Sequence, residues 1–294
     1  MKYIDPYDDF YEMTSTRHYD PKWMIMFKEG LKEKNLQKLK DSLPIVFDNL
    51  SNKEKFEVLK VSSEKGFLDI IKILKEYGYD IHIEDEYALR IAASNGHLEL
   101  VKYLFEQEVN INIYDDNTFF ENALIEAARN HHDEIVKYLV EQGVDPNAGN
   151  GKLVDLYATK RCIYNNGNEL NMLEFLLSNG AYPDLNNNEA LKRAAEYGYL
   201  DAMKCLYKYG ADIHVDDDEL LVFAAMDGYF DIVKFLVEND ANIHADEEHA
   251  LRYAAYNGYY DIVEYLLQKG ADASKVELKS VDSENIKELI IEYL

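Results

Sequence analysis

The stretch Ala88-Leu89-Arg90-Ile91-Ala92-Ala93-Ser94-Asn95-Gly96-His97-Leu98-Glu99-Leu100-Val101-Lys102-Tyr103-Leu104 decides the fold, because it comes back. It returns from Ala250 as ALRYAAYNGYYDIVEYL. Looser copies start at Asn122 (NALIEAARNHHDEIVKYL), Glu189 (EALKRAAEYGYLDAMKCL) and Glu219 (ELLVFAAMDGYFDIVKFL). Aligned on a central residue, the copies are anchored at Gly66, Gly96, His131, Asn168, Gly198, Gly228 and Gly258, with four steps of 30 residues and two of 35 and 37. A second helix stop follows twelve residues after each anchor, at Gly78, Glu108, Gly143, Gly180, Gly210, Asp240 and Gly270. A unit of this length cannot bury its own apolar face and must stack on its neighbours.

Within a unit the spacing predicts two helices. In the first, Leu89 with Ala92 and Ala93 recurs as Leu124/Ala127/Ala128, Leu191/Ala194/Ala195, Leu221/Ala224/Ala225 and Leu251/Ala254/Ala255, the separations of one helix face. Small residues there let neighbouring first helices approach closely. The second helix carries a broad stripe such as Ile262, Val263, Leu266 and Leu267, suited to a helix squeezed between neighbours. The anchor wants a left-handed backbone, which Gly supplies freely; His131 and Asn168 are residue types that tolerate positive φ better than most.

These copies resemble ankyrin repeats, whose second half reads roughly G-H-L-E-I-V-K-L-L-L-x-x-G-A-D-V-N. Gly96 to Leu104 follows that pattern, and Gly210-Ala211-Asp212-Ile213-His214 and Gly270-Ala271-Asp272 follow its end. The resemblance implies an all-α ankyrin-repeat solenoid of seven helix-turn-helix units over residues 54–273. Residues 22–53 are expected to be degenerate capping helices and 274–294 a C-terminal capping helix, with Asp282-Ser283 as its cap and Ile286, Leu289, Ile290 and Leu294 as its apolar face. The family's T-P-L-H is replaced by forms such as Tyr87-Ala88-Leu89-Arg90, and its period of 33 shrinks to 30. The missing residues fall where the family builds its β-hairpin fingers, which are therefore expected to be trimmed to tight turns. This short-fingered variety, in a Tyr-, Asn-, Ile- and Lys-rich chain, resembles ankyrin proteins of giant DNA viruses of the mimivirus type.

Charge narrows the partner. Asp plus Glu number 56 against 31 Lys plus Arg, for a net charge of −25. That field repels nucleic acid and anionic membranes and favours a basic or neutral protein. Two cysteines, Cys162 and Cys205, without a CxxC pair fit an intracellular chain. Met1-Lys2-Tyr3-Ile4-Asp5-Pro6 has no apolar core, so a secretory leader is not expected. A monomer is expected.

Nothing in the chain reads as an enzyme site. GxSxG, P-loop and GxGxxG motifs are absent, and His131-His132-Asp133-Glu134 is not HExxH. His82, His214 and His244 follow Asp-Ile or Asn-Ile at equivalent places, but units about 10 Å apart cannot bring them onto one metal ion, whose ligands lie near 2 Å. They read as turn histidines bonded to the loop backbone. No cofactor and no metal are expected.

The resemblance implies partner binding on the concave side, formed by finger tips and first-helix surface residues. First-helix candidates are Arg90, Ser94, Asn95, Lys192, Tyr197, Arg252, Tyr256 and Asn257. At the tips stand Glu84-Asp85-Glu86, Asp216-Asp217-Asp218-Glu219 and Asp246-Glu247-Glu248. One or two acids per unit serve helix N-termini. The surplus reads either as a rail for a basic partner or as a solvated face. Two longer steps carry insertions, at 112–121 with Phe119 and Phe120 and at 144–167 with Lys152, Lys160 and Arg161; binding loop and tolerated drift both fit. Residues 1–21, with Tyr3, Tyr7, Phe10, Tyr11 and Tyr19, read as an aromatic arm or a docking peptide. Two alternatives to a scaffold stand. One is an adaptor recruiting a ubiquitin ligase, since Ser42-Leu43-Pro44 with Leu50-Ser51 resembles the start of an F-box, though the interval is short and the later aromatic is missing. The other is an enzyme with its site in the 144–167 insertion.

Overall fold

The computed structural model describes residues 21–33, 35–47, 50–107, 123–147, 149–159 and 168–294. The chain divides into two compact units, Met1–Val144 and Asp145–Leu294. In the first lie α1 (Pro21–Glu33), α2 (Leu36–Phe47), α3 (Asn52–Glu64), α4 (Leu68–Glu76), α5 (Ile83–Ser94), α6 (Leu98–Glu106), α7 (Ala123–Arg129) and α8 (Asp133–Glu141). The second holds α9 (Lys152–Thr159), α10 (Asn168–Ser178), α11 (Leu185–Glu196), α12 (Leu200–Lys208), α13 (Val215–Asp227), α14 (Phe230–Glu238), α15 (Ala245–Asn257), α16 (Tyr260–Gln268) and α17 (Glu284–Glu292). Among the described residues there is no strand. Within each unit the helix hairpins stack on one another as repeats of a solenoid do.

Layer by layer, first helices pack on first helices: α3 on α5 and α5 on α7 in the first unit, then α9, α11, α13 and α15 in turn in the second. The alanine pairs make this approach possible. Ala92, Ala93, Ala127, Ala128, Ala194, Ala195, Ala224 and Ala225 are all wholly buried, as are Leu124, Leu191 and Leu251. Burying each such leucine contributes about 1.5–3 kcal/mol. Second helices bury the wide stripe expected, for instance Ile262, Val263, Leu266 and Leu267.

Both helices of a unit end in the same hydrogen-bonded cap. Gly96 N–H donates to Ala93 O (3.3 Å) and His97 N–H to Ala92 O (2.9 Å); after the second helix Gly210 N–H donates to Tyr207 O (3.0 Å) and Ala211 N–H to Leu206 O (3.1 Å). This pair of bonds satisfies carbonyls that the helix end would otherwise orphan, and it needs a left-handed residue. Gly96 supplies it at φ 80°, His131 at 62° and Asp240 at 67°. Gly228 answers a second demand: a Cβ there would stand 2.5 Å from the Tyr259 ring of the next layer.

The trimmed fingers have a particular form. Within α11, α13 and α15, three residues run left-handed before the right-handed part begins: Asn186, Asn187 and Asn188 (φ 54°, 58°, 57°), Asp216, Asp217 and Asp218 (53°, 55°, 64°), and Asp246, Glu247 and Glu248 (48°, 53°, 66°). Gly149, Asn150 and Gly151 (70°, 54°, 78°) do the same ahead of α9, and Glu84 and Glu86 are left-handed at the start of α5. A left-handed L-residue costs roughly 1–2 kcal/mol, least for Gly, Asn and Asp. Backbone geometry thus favours the Gly, Asn and Asp found at these tips, while Glu84, Glu86, Glu247 and Glu248 take the same conformation at higher cost.

Three expectations need correction. The segment 144–167 is not mainly an insertion: it holds a regular turn and the first helix α9, whose Val154, Tyr157 and Ala158 stand where Leu221, Ala224 and Ala225 stand in α13. Its helix was hidden because Tyr157 replaces the first alanine of the pair. Extra length falls instead at 160–167, outside the described residues. Asn168 keeps the anchor's register but opens α10, lengthening the second helix rather than ending the first. At the C-terminus, Ser283 caps α17, which buries Ile286, Leu289 and Ile290 as expected, whereas Leu294 is 69% exposed because the helix has already ended. Glu108, Cys162, Lys160, Arg161, the 112–121 insertion and nearly all of the 1–21 arm lie outside the described residues.

Candidate functional site: the first-helix surface and its turns

In each left-handed turn the three residues part company. The third points inward. Asp218 is buried, its Oδ1 2.7 Å from His214 Nδ1, and its Oδ2 accepts the Asn242 backbone N–H of the next layer at 3.0 Å. Asn188 fills the same place, accepting Asp212 N–H at 3.1 Å. Glu86 and Glu248 are likewise buried against His82 (3.0 Å) and His244. These three acids were expected to face a partner. Three left-handed steps swing the third side chain under the turn; Asp218 there clamps two layers, and Glu86 and Glu248 are bound to the histidine of their own turn. The same bonds revise the histidines: His82, His214 and His244 each meet a carboxylate four residues on, not merely the loop backbone.

The first and second turn residues stay at the surface. Asp216 pairs with Lys192 and is reached by Asn187 (3.4 Å); Lys192 and Asn187 hold its carboxyl below the usual carboxylate range. Lys192 and Asp216 therefore neutralise one another. Asp246 pairs with His249 of its own turn-helix segment. Glu84 contributes its carbonyl to the Arg90 guanidinium at 3.2 Å. Asp217, Glu219 and Glu247 are exposed. The side chain of Asp85 is outside the described ones.

On the first helices, several candidates also tie layers together. Asn257 Nδ2 donates to Met226 O at 2.8 Å, and Ser94 Oγ accepts from Asn130 Nδ2 at 3.2 Å. Asn95 Nδ2 bonds back to Ile91 O in its own helix at 2.8 Å. Arg252 and Tyr256 are half-buried, and Tyr197 is 50% exposed with its ring 6.0 Å from Tyr199. Lys152 of the supposed basic cluster is bound to Asp155 (3.1 Å), which also takes both bonds of Arg193 (2.9 and 2.8 Å). Ser42, at the F-box-like start, is buried inside α2.

Sequence reading missed two groups. The Asn186-Asn187-Asn188 triplet is the neutral counterpart of Asp216-Asp217-Asp218, recognisable by its place 30 residues earlier. Phe223, Met226 and Tyr253 share the outward side of α13 and α15 with Tyr256; all are half-buried or exposed.

A family model described as ankyrin repeats (3 copies) matches residues 52–150 and 191–277, well over half of the chain. The chain belongs to the ankyrin-repeat family. Its ankyrin stretch that the family model passes over, 151–190, is where α9 and α10 stand. Among solved structures, the human ASB11 ankyrin repeat domain is similar at 21% identity and TM-score 0.53, covering 70% of this chain and 97% of that one. The ankyrin repeat domain of Bcl-3, described as a unique member of the IkappaB protein family, is similar at 20% identity and TM-score 0.52, covering 69% and 97%. At such identities the likeness concerns the fold. No curated protein sequence matches the chain. Among the described residues no helix is long and apolar enough to cross a membrane.

Proposed function

We propose that this ankyrin chain is a non-enzymatic scaffold that binds a basic or neutral protein through its first helices and the turns ahead of them. Ankyrin-repeat domains generally mediate protein–protein interaction. The observation that carries the reading here is the exposed Asp217, Glu219 and Glu247 on a chain of net charge −25, on the same elements α13 and α15 that carry the half-buried or exposed Phe223, Tyr253 and Tyr256. Carboxylates so placed steer a basic partner and suppress acidic ones. The trimmed fingers and the Tyr- and Asn-rich composition favour a viral ankyrin protein acting inside a host cell.

The test is quantitative affinity capture from cell lysate. The intact chain runs beside Asp217→Asn/Glu219→Gln/Glu247→Gln, which leaves the buried Asp218 and Glu248 in place. Basic proteins should fall at least fivefold in the variant. Coinciding lists would reject the electrostatic recognition.

A further inference from the structure

Across α11, α13 and α15, the outward residues five before each anchor are Arg193, Phe223 and Tyr253, and those two before it are Glu196, Met226 and Tyr256. Residues three apart on a helix are surface neighbours, and packed helices lie about 8–10 Å apart. Buried Leu221, Ala224, Leu251 and Ala254 fix the opposite sides of α13 and α15 against the stack. Phe223, Met226, Tyr253 and Tyr256 therefore form one continuous apolar patch on two adjacent helices. Equivalent pairs elsewhere are polar in whole or part: Arg193 with Glu196, Glu126 with Arg129, Ile91 with Ser94. No such concentration is needed for stacking, which the alanines already accomplish. An aromatic centre inside a polar rim is the anatomy of a binding hot spot.

The rim names the occupant. Glu219 and Asp227 on α13 are exposed and form no bond among the described residues, and Glu196 on α11 is exposed beside them. Of the nearby cations, Arg193 is bound to Asp155, Lys192 to Asp216 and His249, whose ring lies 5.3 Å from that of Tyr253, to Asp246, while Arg252 is half-buried on α15, so the rim's free carboxylates outnumber its free cations. Tyrosine rings also attract guanidinium groups over their faces. We infer that this patch docks a segment of a partner protein that carries an apolar anchor residue flanked by arginines or lysines. The inference rests on the proposed scaffold role and assigns it a place and a partner chemistry.

Three fluorescein-labelled, end-blocked 12-residue peptides test it on the full chain by anisotropy: alternating Arg and Leu, alternating Arg and Ser, and alternating Glu and Leu. The Arg–Leu peptide should bind at least tenfold more tightly than either other. Phe223→Ser/Tyr253→Ser should weaken it at least tenfold, whereas Tyr207→Ser/Tyr260→Ser, on second helices, should change it less than twofold. Should the first variant lose its helical circular dichroism, the Met226 methyl resonance of the intact chain gives the answer instead, by shifting on titration with Arg–Leu but not Glu–Leu. Equal binding of Arg–Leu and Arg–Ser overturns the patch, as does equal loss in both variants or an unmoved Met226 methyl. Basic proteins still captured from lysate by Phe223→Ser/Tyr253→Ser would keep the scaffold role and sink the patch alone.

Discussion

At the scale of single residues, left-handed backbone accounts for part of what stands at the finger tips. Gly149-Asn150-Gly151, Asn186-Asn187-Asn188 and Asp216-Asp217-Asp218 hold the same conformation with different charge. What they share is tolerance of positive φ, so residue type there follows geometry first. Asp217 isolates the effect, being exposed at φ 55°. Asp217→Gly should stabilise the chain by about 0.5–1 kcal/mol and Asp217→Val destabilise it by about 1–2 kcal/mol, read from urea unfolding midpoints. The sequence could not reveal this, because a run of acids before a helix looks the same whether it caps, repels or turns left. Cys205 is a core residue, and its burial pushes the thiol up to about 11.

At the scale of elements, the hairpin was legible and the clamp was not. The Leu-x-x-Ala-Ala register and the recurring stops located most helices, since each rests on local spacing. The bond from Asp218 to Asn242 N–H spans 24 residues and joins two layers, so no local pattern announces it. Helix α9 escaped for a related reason: Tyr157 keeps the register while breaking the small-residue signature. Asn188 already shows that an amide serves in the clamp. Asp218→Asn should therefore change stability by less than about 0.5 kcal/mol, whereas Asp218→Ala should cost about 1–2 kcal/mol by removing the acceptor of the Asn242 amide and the partner of His214. Equal losses in both variants, measured by thermal unfolding, would mean that the carboxylate charge is essential and the clamp misread.

At the scale of the whole molecule, repetition is what made the fold readable, and departures from repetition are what mark function. Anchors recurring at 30 residues specify stacking; the proposed partner surface lies where equivalent positions differ, as at Phe223 and Tyr253 against Arg193 and Ile91. Sequence alone weighted conspicuous charge over these quieter apolar substitutions, and half of the conspicuous charge proved to be committed within the fold. Site-specific photo-crosslinking tests the central claim most directly. A benzoyl-phenylalanine replaces Tyr253 on a first helix or Tyr260 on a second helix, both side chains being exposed, and each chain is irradiated in lysate at 0.15 M and, as about the threefold higher ionic strength that shrinks screening lengths, 0.5 M salt. The account predicts adducts from position 253 that fade at high salt, with few from 260. Adducts from 260 alone would contradict it.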